Sequence, residues 1–201
     1  MMNKLPLMEQ FVTIQGEGFY SGRCAVFIRL GGCDVGCVWC DVKESWEADS
    51  HPMLTIDEIV GSVKKHKTDF VVITGGEPTM HDISILVDEL KKNNIYVAIE
   101  TAGTNPVYDG VDWVCFSPKK FKKPVSEIYP NTNELKVVVF HKSDFRWAEK
   151  HAAKLTNPDA HLYLQPEWSK SSEILPLVLE YIHENPKWKL SLQTHKYINI
   201  P

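Results

Sequence analysis

The sequence is short of arginine, of long apolar runs and of basic charge. Three arginines (Arg23, Arg29 and Arg146) stand against nineteen lysines, and the formal net charge is -4. That balance leaves no global nucleic-acid footprint, so no nucleic-acid partner is expected. No stretch approaches the roughly 20 apolar residues that a spanning helix needs, so no membrane is expected either. Met1 to Met8 has one lysine and no long apolar core, and does not read as a signal peptide. Internal repeats and low-complexity tracts are absent, and 201 residues suit one domain, 1–201, with a full core. The five cysteines are an odd number, which argues against a disulfide framework and for a reducing cytoplasm. Clustered cysteines in that compartment point to metal or redox chemistry.

What is present is a regular alternation. Near-continuous apolar runs at Cys24–Leu30, Phe70–Thr74, Tyr96–Glu100, Trp113–Phe116, Glu134–Phe140, Leu162–Gln165 and Lys189–Gln193 read as strands of a parallel sheet covered by helices. Between them, a capping box at Thr55 and Glu58 opens a helix facing inward with Ile56, Ile59, Val60 and Val63. Further helices are expected from near Asp82, from near Ser143 and from near Ser172, the last with Pro176 in its first turn. The segments 101–112 and 117–133 carry Pro, Gly and Asn where helices are due. The fold class is therefore α/β: an open partial (β/α) barrel with about six parallel strands and fewer helices than strands. Such barrels put chemistry at the C-terminal ends of their strands, which is where the motifs below fall.

The segment Gly31–Asp41 reads GGCDVGCVWCD, directly after the first apolar strand. Cys33, Cys37 and Cys40, at C-x3-C-x2-C spacing, can ligate three corners of a [4Fe-4S] cluster and leave the fourth iron open. A structural zinc site wants four ligands, usually as two close pairs, and Cys24 and Cys115 form no second pair. Trp39 can stack on an adenine, or simply pack in a core. Thr74–Pro78 reads TGGEP after the second strand, where the glycines admit close backbone approach and Glu77 can pair with an ammonium. Together these motifs resemble the radical S-adenosylmethionine (SAM) superfamily. The resemblance implies reductive cleavage of SAM and hydrogen-atom abstraction from a substrate, with the protein orienting and shielding the cofactor.

The run Gln15-Gly16-Glu17-Gly18 offers an amide, a carboxylate and open backbone, a mix that suits the edge of a guanine-like or pterin ring and also suits a plain glycine turn. Arg29 interrupts an apolar strand, on the face shared by Ala25 and Phe27. Its guanidinium fork fits a substrate carboxylate or an internal salt bridge equally well. In order, QGEG, the Arg29 strand, the cysteine loop, TGGEP, ETAG (100–103), SPK (117–119), LQP (164–166) and QTHK (193–196) resemble the 7-carboxy-7-deazaguanine synthase family along the whole chain.

That resemblance implies conversion of 6-carboxy-5,6,7,8-tetrahydropterin to 7-carboxy-7-deazaguanine with loss of ammonia, on the route to queuosine, with SAM regenerated. It assigns substrate contacts to Ile14, Gln15, Gly16, Glu17, Arg29, Thr74 and His195, and to the C-terminal Pro201. It assigns SAM contacts to Trp39, Cys40, Asp41, Gly76, Ser117, Pro118, Lys119 and Gln165, to which the carboxylate of Glu77 adds a partner for SAM's ammonium. It implies Mg2+, a flavodoxin- or ferredoxin-like electron donor and a homodimer. Where the family often has a threonine for Mg2+, this chain has Val42, so the ion would rely on substrate carboxylate, water and backbone. His51, His66, His81, His141, His151, His161 and His183 show no ligand spacing and read as surface or incidental. Lys119, Lys120, Lys122 and Lys123 read as a solvated face or a dock for an acidic electron donor. Two other readings are a glycyl-radical-activating enzyme, which QGEG and Arg29 speak against, and a non-catalytic zinc or iron-sulfur module.

Overall fold

The computed structural model describes residues 3–201; Met1 and Met2, part of the N-terminal stretch considered above, lie outside the described residues. The strands are β1 (Lys4–Ile14), β2 (Cys24–Leu30), β3 (Met53–Thr55), β4 (Phe70–Gly75), β5 (Tyr96–Thr101), β6 (Trp113–Phe116), β7 (Glu134–Val139), β8 (His161–Pro166) and β9 (Trp188–Leu190). They form one sheet in the order β3-β1-β2-β4-β5-β6-β7-β8-β9. From β2 onward every pairing along that order is parallel, while β1 is antiparallel to both β2 and β3. The ends of the order, β3 and β9, do not pair with each other, so the barrel is open.

Six helices are found among the described residues: α1 (Ile56–Val63), α2 (Ser84–Lys92), α3 (Ile128–Asn131), α4 (Asp144–Ala152), α5 (Ser171–Glu184) and α6 (Thr194–Ile198). The Thr55–Glu58 capping box is formed, and Ile56, Ile59, Val60 and Val63 are its buried face. Pro176 sits deeper than expected. The helix begins at Ser171, so the proline lies in its second turn and removes one backbone donor there. The connection 102–112 is free of α-helix, as its composition predicts, whereas 117–133 holds the single turn α3, whose Ile128 and Tyr129 are buried.

The sheet exceeds the sequence expectation by β1 and β3, and its parallel part has one strand more than the six expected. β1 was hidden because KLPLMEQFVTI mixes polar and apolar residues without clean alternation. A register shift between Leu7 and Glu9 explains the broken pattern.

Strand alternation divides the molecule. Val26, Ile28, Val71, Ile73, Val97, Ile99, Val114, Leu135, Val137 and Leu164 point outward and join Leu86, Leu90, Phe145, Ala148, Ile174 and Val178 of the helices in the main core. The other face points into the barrel. Its floor is Ala25, Phe70, Val72 and Ala98, closed by Tyr20, Phe27, Tyr96 and Trp113.

His151, read as incidental from the sequence, is a core residue. Its ring is 2% exposed and bonds the Tyr129 hydroxyl through Nδ1 at 2.9 Å, while Nε2 has no partner. Burial, then Lys154 and Lys150, lower its pKa to about 4. The fold favours the neutral ring, so this contribution is complete above the unfolded pKa of about 6.5 and is lost as pH falls toward 4. Urea denaturation should therefore show stability falling from pH 6.5 to pH 4 by no more than about 3 kcal/mol from this group. His151→Leu should flatten that acid limb while lowering stability at pH 7 by about 1–3 kcal/mol, because the Tyr129 hydroxyl loses its partner.

Candidate active site

A cavity of about 270 Å3 opens at the C-terminal ends of the parallel strands. It is lined by every candidate site residue named from the sequence except Pro118. The exception follows from alternation carried past β6: Ser117 and Lys119 face the cavity, and the buried Pro118 turns away.

The cysteine loop is stitched to its neighbours by backbone bonds. Gly32 N–H donates to Ser45 O at 2.6 Å and Cys33 N–H to Trp46 O at 3.0 Å. Gly76 and Glu77 N–H donate back to Leu30 O and Gly32 O at 3.0 and 2.8 Å. Gly76 has no alternative here, because a Cβ would stand 2.2 Å from Gly32 O. His81, read as incidental, braces the loop through Nε2 to Gly31 O at 2.7 Å. Cys33, Cys37 and Cys40 pack with Val35 and Ala102, and all are free thiols. Burial pushes the Cys33 thiol up and the Cys37 thiol to about 11, with Lys119 pulling Cys37 the other way. Thiols in that state need a cation to ionise them, which a bound cluster supplies. Among the described residues no three His, Cys, Asp or Glu side chains are arranged to hold a single metal ion. The donor set, three cysteines on one glycine loop beside an open cavity, fits a [4Fe-4S] cluster.

Glu77 is 1% exposed and its carboxylate accepts four hydrogen bonds. Thr79 N–H and Oγ1–H and Thr101 Oγ1–H reach Oε1 at 3.1, 2.6 and 2.6 Å, and Ala102 N–H reaches Oε2 at 2.7 Å. The ETAG segment is thus the cradle of Glu77. Lys119 donates to Ser117 Oγ at 2.6 Å and lies 5.2 Å from the Trp39 ring centre. Gln165 Oε1 accepts from Ser191 Oγ at 2.7 Å. Asp41 is paired with Lys196 at 2.7 Å, which ties the end of the cysteine loop to α6.

The other half of the site joins the two ends of the chain. Thr194 donates through N and Oγ1 to Gly16 O at 3.0 and 2.9 Å, and a Cβ on Gly16 would stand 2.2 Å from His195 Nδ1. Thr13 Oγ1–H donates to Pro201 O at 2.8 Å, so the last residue is held at the cavity rim. Beneath lies Lys136, its side chain 3% exposed, donating to Glu17 Oε2 at 2.6 Å and Glu100 Oε2 at 2.8 Å. Gln193 Nε2 donates to Glu17 Oε1 at 2.9 Å. Burial by itself would raise the Glu17 pKa; the charge and hydrogen bond of Lys136, then Gln193 and His195, bring it down to about 2. Sequence reasoning missed Lys136, Glu100 and Gln193 as site residues. The signal for Lys136 was the same as for Arg29, a cation inside an apolar strand run.

Arg29 joins both readings left open by the sequence. Its Nε donates to Glu9 at 2.6 Å, the residue directly opposite it in the last pair of the regular β1–β2 register. No protein group among the described residues is hydrogen-bonded to its terminal Nη atoms, and the side chain, 18% exposed, lines the cavity. Glu9 thereby fixes the plane of the guanidinium while the Nη fork stays free for an anion.

An open α/β barrel with a three-cysteine loop and a GGE turn at one cavity defines a radical SAM enzyme. The description "Radical SAM superfamily" matches residues 27–128. The chain is 54% identical over 197 residues to the 7-carboxy-7-deazaguanine synthase of Flavobacterium psychrophilum, covering 98% of this chain and 93% of that one. It is 46% identical to that of Synechocystis, covering 97% and 93%, and 36% identical to that of Escherichia coli K12, covering 97% and 98%. Its fold superposes on the crystal structure of QueE from Escherichia coli with a TM-score of 0.83 and 32% identity, covering 94% of this chain and 93% of that one. The chain belongs to the 7-carboxy-7-deazaguanine synthase family. Membership implies a [4Fe-4S] cluster and SAM as its cofactors.

Arg29→Lys removes both the Nε contact and the fork. Loss of charge-assisted bonds of about 1.5–3 kcal/mol should weaken substrate binding roughly ten- to hundred-fold and leave SAM binding unchanged. Equilibrium binding of each ligand to the reconstituted protein checks this; equal loss of both would make the Glu9 pair purely structural.

Proposed function

We propose that the cavity converts 6-carboxy-5,6,7,8-tetrahydropterin to 7-carboxy-7-deazaguanine with release of ammonia. The observation that carries this reading is the polarity of one cavity: a free guanidinium fork at Arg29 and an acidic pair at Glu17 and Glu100, beside the cysteine loop. A ring with a carboxylate at one end and an N–H-rich edge at the other matches that polarity.

In this reading Cys33, Cys37 and Cys40 hold the cluster. When bound, the cluster and SAM supply the electron and the hydrogen-abstracting group. Trp39 offers an aromatic face to the adenine, and Gly76 gives backbone access. Glu77, held by its four donors, adds fixed negative charge for SAM's ammonium. Asp41, Ser117, Lys119 and Gln165 complete the SAM side. Arg29 binds the substrate carboxylate, and Ile14, Gln15, Gly16, Glu17, Thr74 and His195 line the ring. The Gln15 amide is already engaged, accepting from Glu17 N–H at 3.0 Å and donating to Glu100 at 3.4 Å, so its part is to shape the acidic pair. Pro201 and α6 close the rim and limit water, which protects a reactive intermediate.

Mg2+ belongs to the proposal through the substrate carboxylate, water and backbone, because Val42 lines the cavity without a side-chain oxygen and its carbonyl already accepts from Ser45. The reading includes an external one-electron donor of flavodoxin or ferredoxin type, a homodimer and a reducing cytoplasm; all five cysteines are free thiols. Among the described residues no helix is long and apolar enough to cross a membrane. Lys120 and Lys122 are paired with Asp144 and Asp34, so the lysine loop is no continuous basic patch.

The test is anaerobic turnover of the pterin with SAM and reductant, read by mass spectrometry. Product with one nitrogen fewer supports the reading, and unchanged substrate overturns it. Cys33→Ala, Cys37→Ala and Cys40→Ala should each abolish SAM cleavage, whereas Cys24→Ala and Cys115→Ala should retain the cluster's visible absorbance. Extension of the chain beyond Pro201 should reduce turnover at least ten-fold while leaving the cluster and SAM binding intact; full activity in the extended protein would make the tail mere packing.

A further inference from the structure

Lys136 is a buried cation that neither the cysteine loop nor the SAM side of the cavity uses. A buried ion pair is a poor device for stability, since desolvation offsets most of the attraction. This one is also unbalanced, with one ammonium against two carboxylates that both line the cavity. Glu17 comes from the loop after β1, Glu100 from β5 and Lys136 from β7. Each carboxylate has a second tether: Gln193 on Glu17 at 2.9 Å, and Gln15 on Glu100 at 3.4 Å.

An ionised carboxylate has about four acceptor sites and no donor. The contacts above occupy part of that capacity, and the remainder belongs to groups that line the cavity. Such a floor accepts N–H groups and repels carbonyl oxygens. A cyclic guanidine, with a ring N–H beside an exocyclic amine, supplies what it lacks. Replacing that amine by a carbonyl sets an acceptor against an acceptor, and unpaired buried polar groups are where binding sites discriminate most strongly.

We propose that Lys136 is the positioning residue that sets this selectivity: it holds Glu17 and Glu100 together so that the cavity takes the N–H edge of a cyclic guanidine and rejects its carbonyl counterpart. The inference rests on the pterin reading above and adds the device by which the ring edge is read. The other titratable groups around the pair are Cys115 on β6, Glu134 on β7, His195 on α6 and Lys119. Among the described residues Lys136 alone is hydrogen-bonded to both carboxylates.

The experiment uses the reconstituted holoenzyme and two unreactive probes, pterin-6-carboxylate and lumazine-6-carboxylate, which differ in a 2-amino or 2-oxo group. The wild type should bind the pterin at least ten-fold more tightly. Lys136→Met should reduce that ratio to near one, keep the cluster and the SAM affinity, and give pterin binding a new weakening toward acid pH as Glu17 protonates. Lys136→Arg should restore part of the ratio. If Lys136→Met fails to fold, Lys136→Met/Glu100→Gln removes the excess buried charge, and its ratio should likewise approach one. A ratio unchanged in these variants, or no discrimination by the wild type, overturns the inference. Failure of the wild type to turn over 6-carboxytetrahydropterin would overturn the functional reading instead, because the selectivity is read from binding and not from turnover.

Discussion

The ammonium of Lys136 is the point on which the cavity's geometry turns. It lies inside the barrel, where an unpaired charge costs several kcal/mol. It is stable there only while Glu17 and Glu100 both reach it. That requirement pulls the loop after β1 over the strand ends and brings Gln193, Thr194 and His195 against it. Burial pushes the Lys136 pKa down, and the surrounding Cys115, Glu100, Glu17 and Glu134 more than reverse it, so the group stays charged. Glu134, deeper still, is raised by burial and anchors Phe19 N–H and the Trp113 indole.

The same strands serve two environments because a strand's side chains alternate. β7 carries Leu135, Val137 and Val139 to the helix layer and Glu134, Lys136 and Val138 to the interior. β2 carries Val26, Ile28 and Leu30 outward and Ala25, Phe27 and Arg29 inward. One-residue slips would exchange core and chemistry wholesale, so packing of the outer face also aligns the site. The register shift in β1 falls just beyond the Glu9–Arg29 pair, so the regular alternation holds through the residues that face the cavity.

The two halves of the cavity are built differently. The cysteine and GGE loops are joined through backbone, at distances only glycine permits, and are braced by Ser45, Trp46, Thr101 and Ala102. The half away from the cysteine loop depends on contacts between β1, the loop after it and the segment 193–201, with Thr13 holding Pro201 and Gly16 holding Thr194. The first half is thus assembled by adjacent parallel strands, and the second by segments far apart in sequence.

Much of this was legible in the residues. The Cys33–Cys37–Cys40 spacing, the GGE turn, the Thr55 capping box and the inward face of Arg29 are local patterns, set by short-range geometry and side-chain chemistry. The alternation of apolar runs with helical patterns determined the fold class, and the order of the motifs along the chain determined the family. What the residues could not show were the partners of charges far apart in sequence. Lys136 stood as one polar residue in an apolar run, and His81 and His151 read as incidental histidines. β1 was obscured because a shifted register breaks the alternation by which strands are recognised. Which carboxylate meets which cation, and which donors cradle Glu77, were decided only by the tertiary structure, because those pairings join β1, β5, β7 and α6 and exist only once the sheet has brought them together.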